Sequence, residues 1–79
     1  MGKPIRTHDI DLAAFLLAQG ATLSDIDRSN PDRQIFLISG DGLAERLADY
    51  MSETATVNVT RFARSRRLLL ERLRTGARA

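Results

Sequence analysis

The sequence predicts a small α+β domain with the element order α-β-β-α-α, in which helices pack against a β-hairpin. Apolar residues recur at helical spacing towards both ends of the chain, and a β-branched and aromatic run lies between turn residues near its middle. A chain of 79 residues has room for one shared core. We therefore predict a single domain over residues 1–79, with flexible ends at 1–6 and 75–79.

The first predicted helix covers residues 8–19. We expect Thr7 to cap it by accepting from a free backbone NH of the first turn, and Asp9 and Asp11 to complement the positive end of the helix dipole. Gly20 follows and is suited to the left-handed conformation that ends a helix. The helix is apolar over more than half of its circumference, so we expect it to be buried against the sheet.

The middle of the chain predicts the hairpin, with strands over 21–29 and 34–39 around a proline-containing turn. In the first strand Leu23 and Ile26 fall on opposite faces unless a β-bulge intervenes. The second strand contains the apolar run 35–38, which is too apolar for one face to lie in water. We expect its second face to be covered by the C-terminal helix or by a second copy of the chain.

The second predicted helix covers residues 43–51, with Asp41 as its cap. Its inward stripe is formed by Leu43, Leu47 and Tyr50 or Met51. In the connector that follows, Val57 and Val59 have the β-branched character of a strand. A short third strand at the sheet edge is therefore an open alternative at 57–59.

The third predicted helix begins at a cap, Asn58 or Thr60, and runs to Arg74, with Gly76 as its stop. At 100° per residue the helix is amphipathic. Its apolar face contains Val59, Phe62, Ala63, Leu69, Leu70 and Leu73. Its opposite face contains Arg61, Arg64, Arg67, Arg72 and Arg74.

Charge is distributed very unevenly along the chain. The first 59 residues carry five bases and nine acids, whereas the last twenty carry seven arginines and a single acid, Glu71. Guanidinium groups repeated along one helix are able to contact successive phosphates. The first functional hypothesis is therefore a nucleic-acid-contacting accessory protein that binds the backbone through Arg61, Arg64, Arg67, Arg72 and Arg74.

The alternative is a protein-interaction or oligomerisation module of a phage or mobile element. In such a module the arginines form ion pairs within the protein. Arg67 would pair with Glu71, or the arginines of the third helix would pair with the acids at 41–49. Arg66 lies on the apolar face and requires an acid of the first or second helix, or a partner, while Leu68 lies on the basic face. We assign Arg66 and Leu68 to a partner contact or interface, and a homodimer is one form of it.

The residue inventory argues against several other classes of function. The chain has no cysteine, and its one histidine, His8, has no nucleophile motif to serve, so we predict neither an enzyme nor catalytic residues. His8, Asp9 and Asp11 do not converge on one point, so we predict no metal and no cofactor. No apolar run is long enough for a membrane span and no signal peptide is indicated. We expect a cytoplasmic protein without a membrane or small-molecule ligand.

The segment Thr-His-Asp-Ile-Asp-Leu-Ala-Ala-Phe-Leu-Leu-Ala-Gln-Gly, residues 7–20, resembles the opening of a family of small bacterial and mobile-element proteins classed as a domain of unknown function. The family segment has the form T-x-D-x-x-L-A-A-x-L-L-A-x-G, and the likeness extends to about Leu73. The resemblance implies a stand-alone fold, with packing positions at Ala13, Ala14, Leu16, Leu17 and Gly20. It implies no activity, and it does not extend to the density of arginines near the C-terminus.

Overall fold

The computed structural model describes residues 4–76, which form three helices and a three-stranded antiparallel sheet. In chain order the elements are β1 (Ile5–Thr7), α1 (Ile10–Ala18), β2 (Thr22–Asp27), β3 (Ile35–Ser39), α2 (Leu43–Met51) and α3 (Val59–Gly76). The predicted α+β class is confirmed, as are both strands of the hairpin and all three helices. In the described part of the chain no helix is both long and apolar enough to span a bilayer.

The sheet has the strand order β1-β3-β2, with the hairpin strand β3 at its centre. Ile38 of β3 lies between Ile5 of β1 and Leu23 of β2. The register of β2 shifts at Ser24, since Leu23 pairs with Ile38 whereas Asp25 already pairs with Leu37. This β-bulge brings Leu23 and Ile26 to the same face of the sheet, as the apolar pattern requires.

The third strand lies at the start of the described chain and not at residues 57–59. The prediction at 57–59 is wrong, because Val59 begins α3 and the residues before it belong to the connector. Ile5 and Arg6, which we assigned to a flexible end, lie in β1, and residues 75–76 lie in α3. The remaining terminal residues of both predicted flexible ends, 1–3 and 77–79, lie outside the described residues.

Helix α1 is the central element of the core. Its cap is Asp9, whose Oδ1 accepts from the backbone nitrogens of Asp11 (2.9 Å) and Leu12 (3.2 Å). The predicted cap, Thr7, is the last residue of β1 and accepts from Asp9 instead. Gly20 follows the helix with φ +103°. The buried residues of α1 are Leu12, Ala13, Ala14, Phe15, Leu16 and Ala18.

Of the packing positions implied by the family resemblance, three are fully buried in α1: Ala13, Ala14 and Leu16. Leu17 is half-buried and Gly20 is exposed. At Gly20 the positive φ explains the glycine, because residues with a Cβ rarely adopt that conformation. The position therefore serves the turn into β2 and is not a packing site.

Helix α2 packs on α1 through the predicted stripe of Leu43, Leu47 and Tyr50. The rings of Tyr50 and Phe15 lie 5.4 Å apart at their centroids, in a tilted arrangement. The alternative stripe residue, Met51, is exposed. Asp41 is not the cap: the helix begins after Gly42, at φ +68°, without a side-chain cap.

The two faces of β3 have different environments. Phe36 and Ile38 are buried against the helices, whereas Ile35 and Leu37 point to the opposite face and are half-buried. Of the two alternatives for covering this second face, the C-terminal helix is wrong, because α3 packs on α1, and a second copy of the chain stays a prediction. Within the chain, the outer face is crossed by an ion pair between Arg6 of β1 and Asp27 of β2, with 2.9 Å between Nη2 and Oδ2.

Asp27 is the group whose titration should best report on this sheet. The side chain and backbone NH of Ser29 donate to its Oδ1, and Arg6 pairs with its Oδ2, which together lower the Asp27 pKa from 3.8 to about 2. The carboxylate therefore stabilises the fold above pH 4, and that contribution is lost as the pH falls towards 2.

We expect a carboxyl-carbon NMR titration of the folded protein to give a midpoint for Asp27 near 2. The variant Ser29→Ala should raise this midpoint towards 3.8, because it removes the hydroxyl donor. Arg6→Gln should also raise it, because it removes a hydrogen-bond donor and a positive charge. An Asp27 midpoint near 3.8 in the unmodified protein would contradict the described hydrogen bonds.

Candidate nucleic-acid interface

Helix α3 presents the candidate interface, and its first turn is well defined. Asn58 is the cap, as predicted: its Oδ1 accepts from the backbone nitrogen of Arg61 at 3.0 Å, and its carbonyl accepts from that of Phe62 at 2.9 Å. The helix then runs for 18 residues, from Val59 to Gly76, which corresponds to about 27 Å.

The inner face of α3 packs on α1 over only part of its length. Leu69 is fully buried, and Phe62 and Leu73 are half-buried against the core. Three other predicted inward residues are exposed, namely Val59 (79%), Leu70 (45%) and Ala63. The nine residues of α1 extend about 14 Å, about half the length of α3, so α1 is too short to cover the whole inner face of α3.

All five arginines that the sequence assigns to nucleic acid are exposed on α3. We call Arg61, Arg64, Arg67, Arg72 and Arg74 the arginine face. None of them forms an ion pair with an acid among residues 4–76. From Arg61 to Arg74 the face extends about 20 Å along the helix, enough to reach several successive phosphates.

The acids proposed as internal partners form no ion pair with the arginine face in the described chain. Glu71 lies on the same helix but makes no ion pair with Arg67, and Glu45 and Asp49 of α2 point to solvent. Glu71 lies beside Arg67 and Arg74 on α3, so the arginine face carries five positive charges and one nearby acid that is not in contact with them.

Arg28 extends the basic surface beyond the helix, and sequence reasoning missed it. Its guanidinium donates to the Arg72 carbonyl at 2.9 Å and to Oε1 of Gln34 at 2.8 Å. A cation at this position complements the negative C-terminal end of α3. No local signal identifies it, because Arg28 lies 44 residues from its partner along the chain.

Arg66 differs from the five arginines of the face. Its Nε donates to Oδ1 of Asp11 in α1 at 2.9 Å, so the predicted acidic partner on the first helix is present. The pair is not buried as expected, since the side chains are 44% and 54% exposed. At that exposure a salt bridge contributes at most about 1 kcal/mol. The ion pair of Arg66 thus contributes little to the packing of α3 on α1.

A groove of about 470 Å³ lies beside the arginine face, between the C-terminal end of α1 and α3. Its apolar lining comes from Leu17, Ala18 and Leu68, and its basic lining from Arg61 and Arg64. Leu68 is 44% exposed, as its position on the basic side of the helix predicts. We call this feature the α1–α3 groove.

The described residues contain no cluster of three or more histidines or acids that would suit a metal ion. His8 is exposed and lies near Ile10 and Leu73, at a second groove on the opposite flank of α3.

Comparison with known proteins defines the family of this chain. Residues 2–74 match the family described as a domain of unknown function, DUF5659. The chain belongs to this family. Nearly the whole chain takes part in the match, which confirms the expectation of an unknown-function family. No curated protein and no solved structure gives a significant match.

Membership of DUF5659 brings no activity, because its description assigns none. The DUF5659 match ends at Arg74 and therefore includes α3 through the last arginine of the arginine face. Functional inference for this member consequently depends on the geometry and charge of its own residues.

Proposed function

We propose that the chain is a non-enzymatic cytoplasmic module that contacts the phosphate backbone of nucleic acid through its arginine face. The observation that carries the proposal is the exposure of five arginines on one helix with no acidic partner among residues 4–76. An exposed guanidinium binds a phosphate strongly, because the two groups form two parallel charge-assisted hydrogen bonds.

The arrangement favours a duplex over a single strand. The arginines follow one another along a single helix. The phosphates of a duplex likewise follow one another along the edge of a groove. Base stacking would need aromatic side chains on the same surface, and α3 contains one aromatic residue, Phe62, which packs inward. The contacts are therefore to the backbone and carry no sequence specificity of their own.

Fluorescence anisotropy with a labelled random-sequence duplex tests the proposal directly. Four or five phosphate contacts predict a slope of about −4 when the logarithm of the binding constant is plotted against that of the salt concentration. A single-stranded DNA of the same length should bind more weakly. Absence of binding to either DNA at low salt would contradict the proposal.

A second candidate function is an oligomerisation module, favoured by the exposed apolar side chains Met51, Val59 and Leu70. A homodimer of this kind would double the basic surface available to nucleic acid. Sedimentation equilibrium over a range of protein concentrations decides the question. A mass that stays at 8.8 kDa throughout would exclude self-association as the function of these side chains.

A further inference from the structure

The α1–α3 groove combines two properties that phosphate binding does not require. Its apolar lining is an exposed leucine, Leu68, beside the half-buried Leu17 and the buried Ala18. A phosphate backbone offers nothing apolar to these side chains. The proposed function therefore makes no use of Leu68 on the basic side of α3.

The groove is also charged with one sign. Arg61 and Arg64 line it together with the polar side chains of Gln19 and Ser65, and no acid is among its lining residues. Gln19 is held in place, since its Nε2 donates to the Thr56 carbonyl at 2.8 Å. An occupant should thus present apolar side chains to the leucines and carboxylates to the arginines.

The second groove on α3 lacks this complementarity. It is of similar size, about 540 Å³, and contains Leu70 and Leu73, but it also contains both an acid, Asp32, and a base, Arg33. Because it contains both charges, this groove favours neither an acidic nor a basic partner. Leu70 nevertheless provides a matched control, because its exposure of 45% almost equals the 44% of Leu68.

We infer that the α1–α3 groove docks an acidic amphipathic helical segment of a partner protein. Two apolar side chains one turn apart on such a segment fill the space between Leu17 and Leu68, and flanking glutamates or aspartates pair with Arg61 and Arg64. A free fatty acid is a poorer fit, since the groove is open along its length and does not enclose a chain. Docking covers two arginines of the arginine face and therefore competes with nucleic acid.

The test uses the full chain and a fluorescein-labelled helical peptide of about 14 residues, roughly 21 Å long, with leucines on one face and glutamates elsewhere. We expect the peptide to bind, as measured by anisotropy. Its affinity should fall at least about tenfold in Leu68→Ser, because the burial of one leucine side chain is lost. Leu70→Ser should bind like the unmodified protein. A peptide with serines in place of the leucines, and one with lysines in place of the glutamates, should not bind.

Several outcomes would overturn the inference: no binding of the acidic peptide, equal loss in both leucine variants, or no loss in Leu68→Ser. An NMR titration of the unmodified protein gives a result independent of variant stability, with the largest amide shifts expected at Leu17, Gln19 and Leu68. Shifts elsewhere would count against the groove.

If Leu68→Ser instead weakens duplex binding and the peptide does not bind, the groove belongs to the nucleic-acid surface. Because no nucleic acid is present in the peptide assay, its failure is distinct from failure of the proposed function.

Discussion

Replacing Phe36 with alanine is expected to lower the Tm by about 12–40 °C. Phe36 is 1% exposed and faces α1 from the central strand β3. Truncating a buried phenylalanine to alanine costs about 3–5 kcal/mol, and each kcal/mol shifts the Tm of a domain of this size by roughly 4–8 °C. The total stability of a chain of this length is roughly 4–12 kcal/mol, so the loss removes a large part of it.

Thermal unfolding followed by far-UV circular dichroism measures this effect, with Leu37→Ala as the matched control. Leu37 is the next residue of β3 but lies half-buried on the outer face. Its truncation should cost clearly less. An equal loss of Tm in the two variants would show that the outer face is also covered, as a second copy of the chain would cover it. The Leu37→Ala effect would then depend on protein concentration.

Replacing all five residues of the arginine face with glutamine is expected to reduce duplex affinity by about three orders of magnitude or more at low salt. Four or five lost phosphate contacts remove the counterion release that drives non-specific binding. Glutamine retains much of the length and the helix propensity of arginine, so the fold should persist. The five side chains are exposed and make no ion pair within residues 4–76.

Duplex anisotropy at about 50 mM salt measures the loss, and circular dichroism verifies that α3 remains helical. The control is Arg6→Gln, which removes an arginine from the outer face of the sheet. This change should weaken binding far less. A five-arginine variant that binds like the unmodified protein would contradict the proposed function, since nucleic acid would then contact another surface.

Local sequence signals were sufficient to predict most of the fold. The apolar run 35–38, the asparagine at 58 and the leucine periodicity of the helices each act within a few residues. The bulge in β2 was also predictable, because Leu23 and Ile26 had to share a face in a strand with one buried side. These features depend on backbone propensity and apolar patterning.

What was missed depends on distant partners. Strand β1 has three residues and becomes a strand only by pairing with β3, where Ile5 lies opposite Ile38. The exposure of Val59 and Leu70 depends on how α1 packs against α3, which no pattern within α3 reveals. In the candidate site, the five arginines were predictable from helical spacing, whereas Arg28 was not.

The partner of Arg66 illustrates the same limit. Its position on the apolar side of α3 required an acid, and Asp11 supplies it. The sequence did not show that the pair would remain in contact with water. Because Arg66 is exposed but paired with an acid, it is a suitable reference for the unpaired arginines of the arginine face.

The most direct test of the central claim is the salt dependence of duplex binding in two single variants, Arg64→Gln and Arg66→Gln. Both remove one positive charge from the same helix, but Arg64 belongs to the arginine face and Arg66 is paired with Asp11. We predict that Arg64→Gln makes the slope of about −4 shallower by about 0.9, the share of one phosphate contact, and that Arg66→Gln leaves it unchanged. Equal slopes for the two variants would contradict the claim that the arginine face is the nucleic-acid contact.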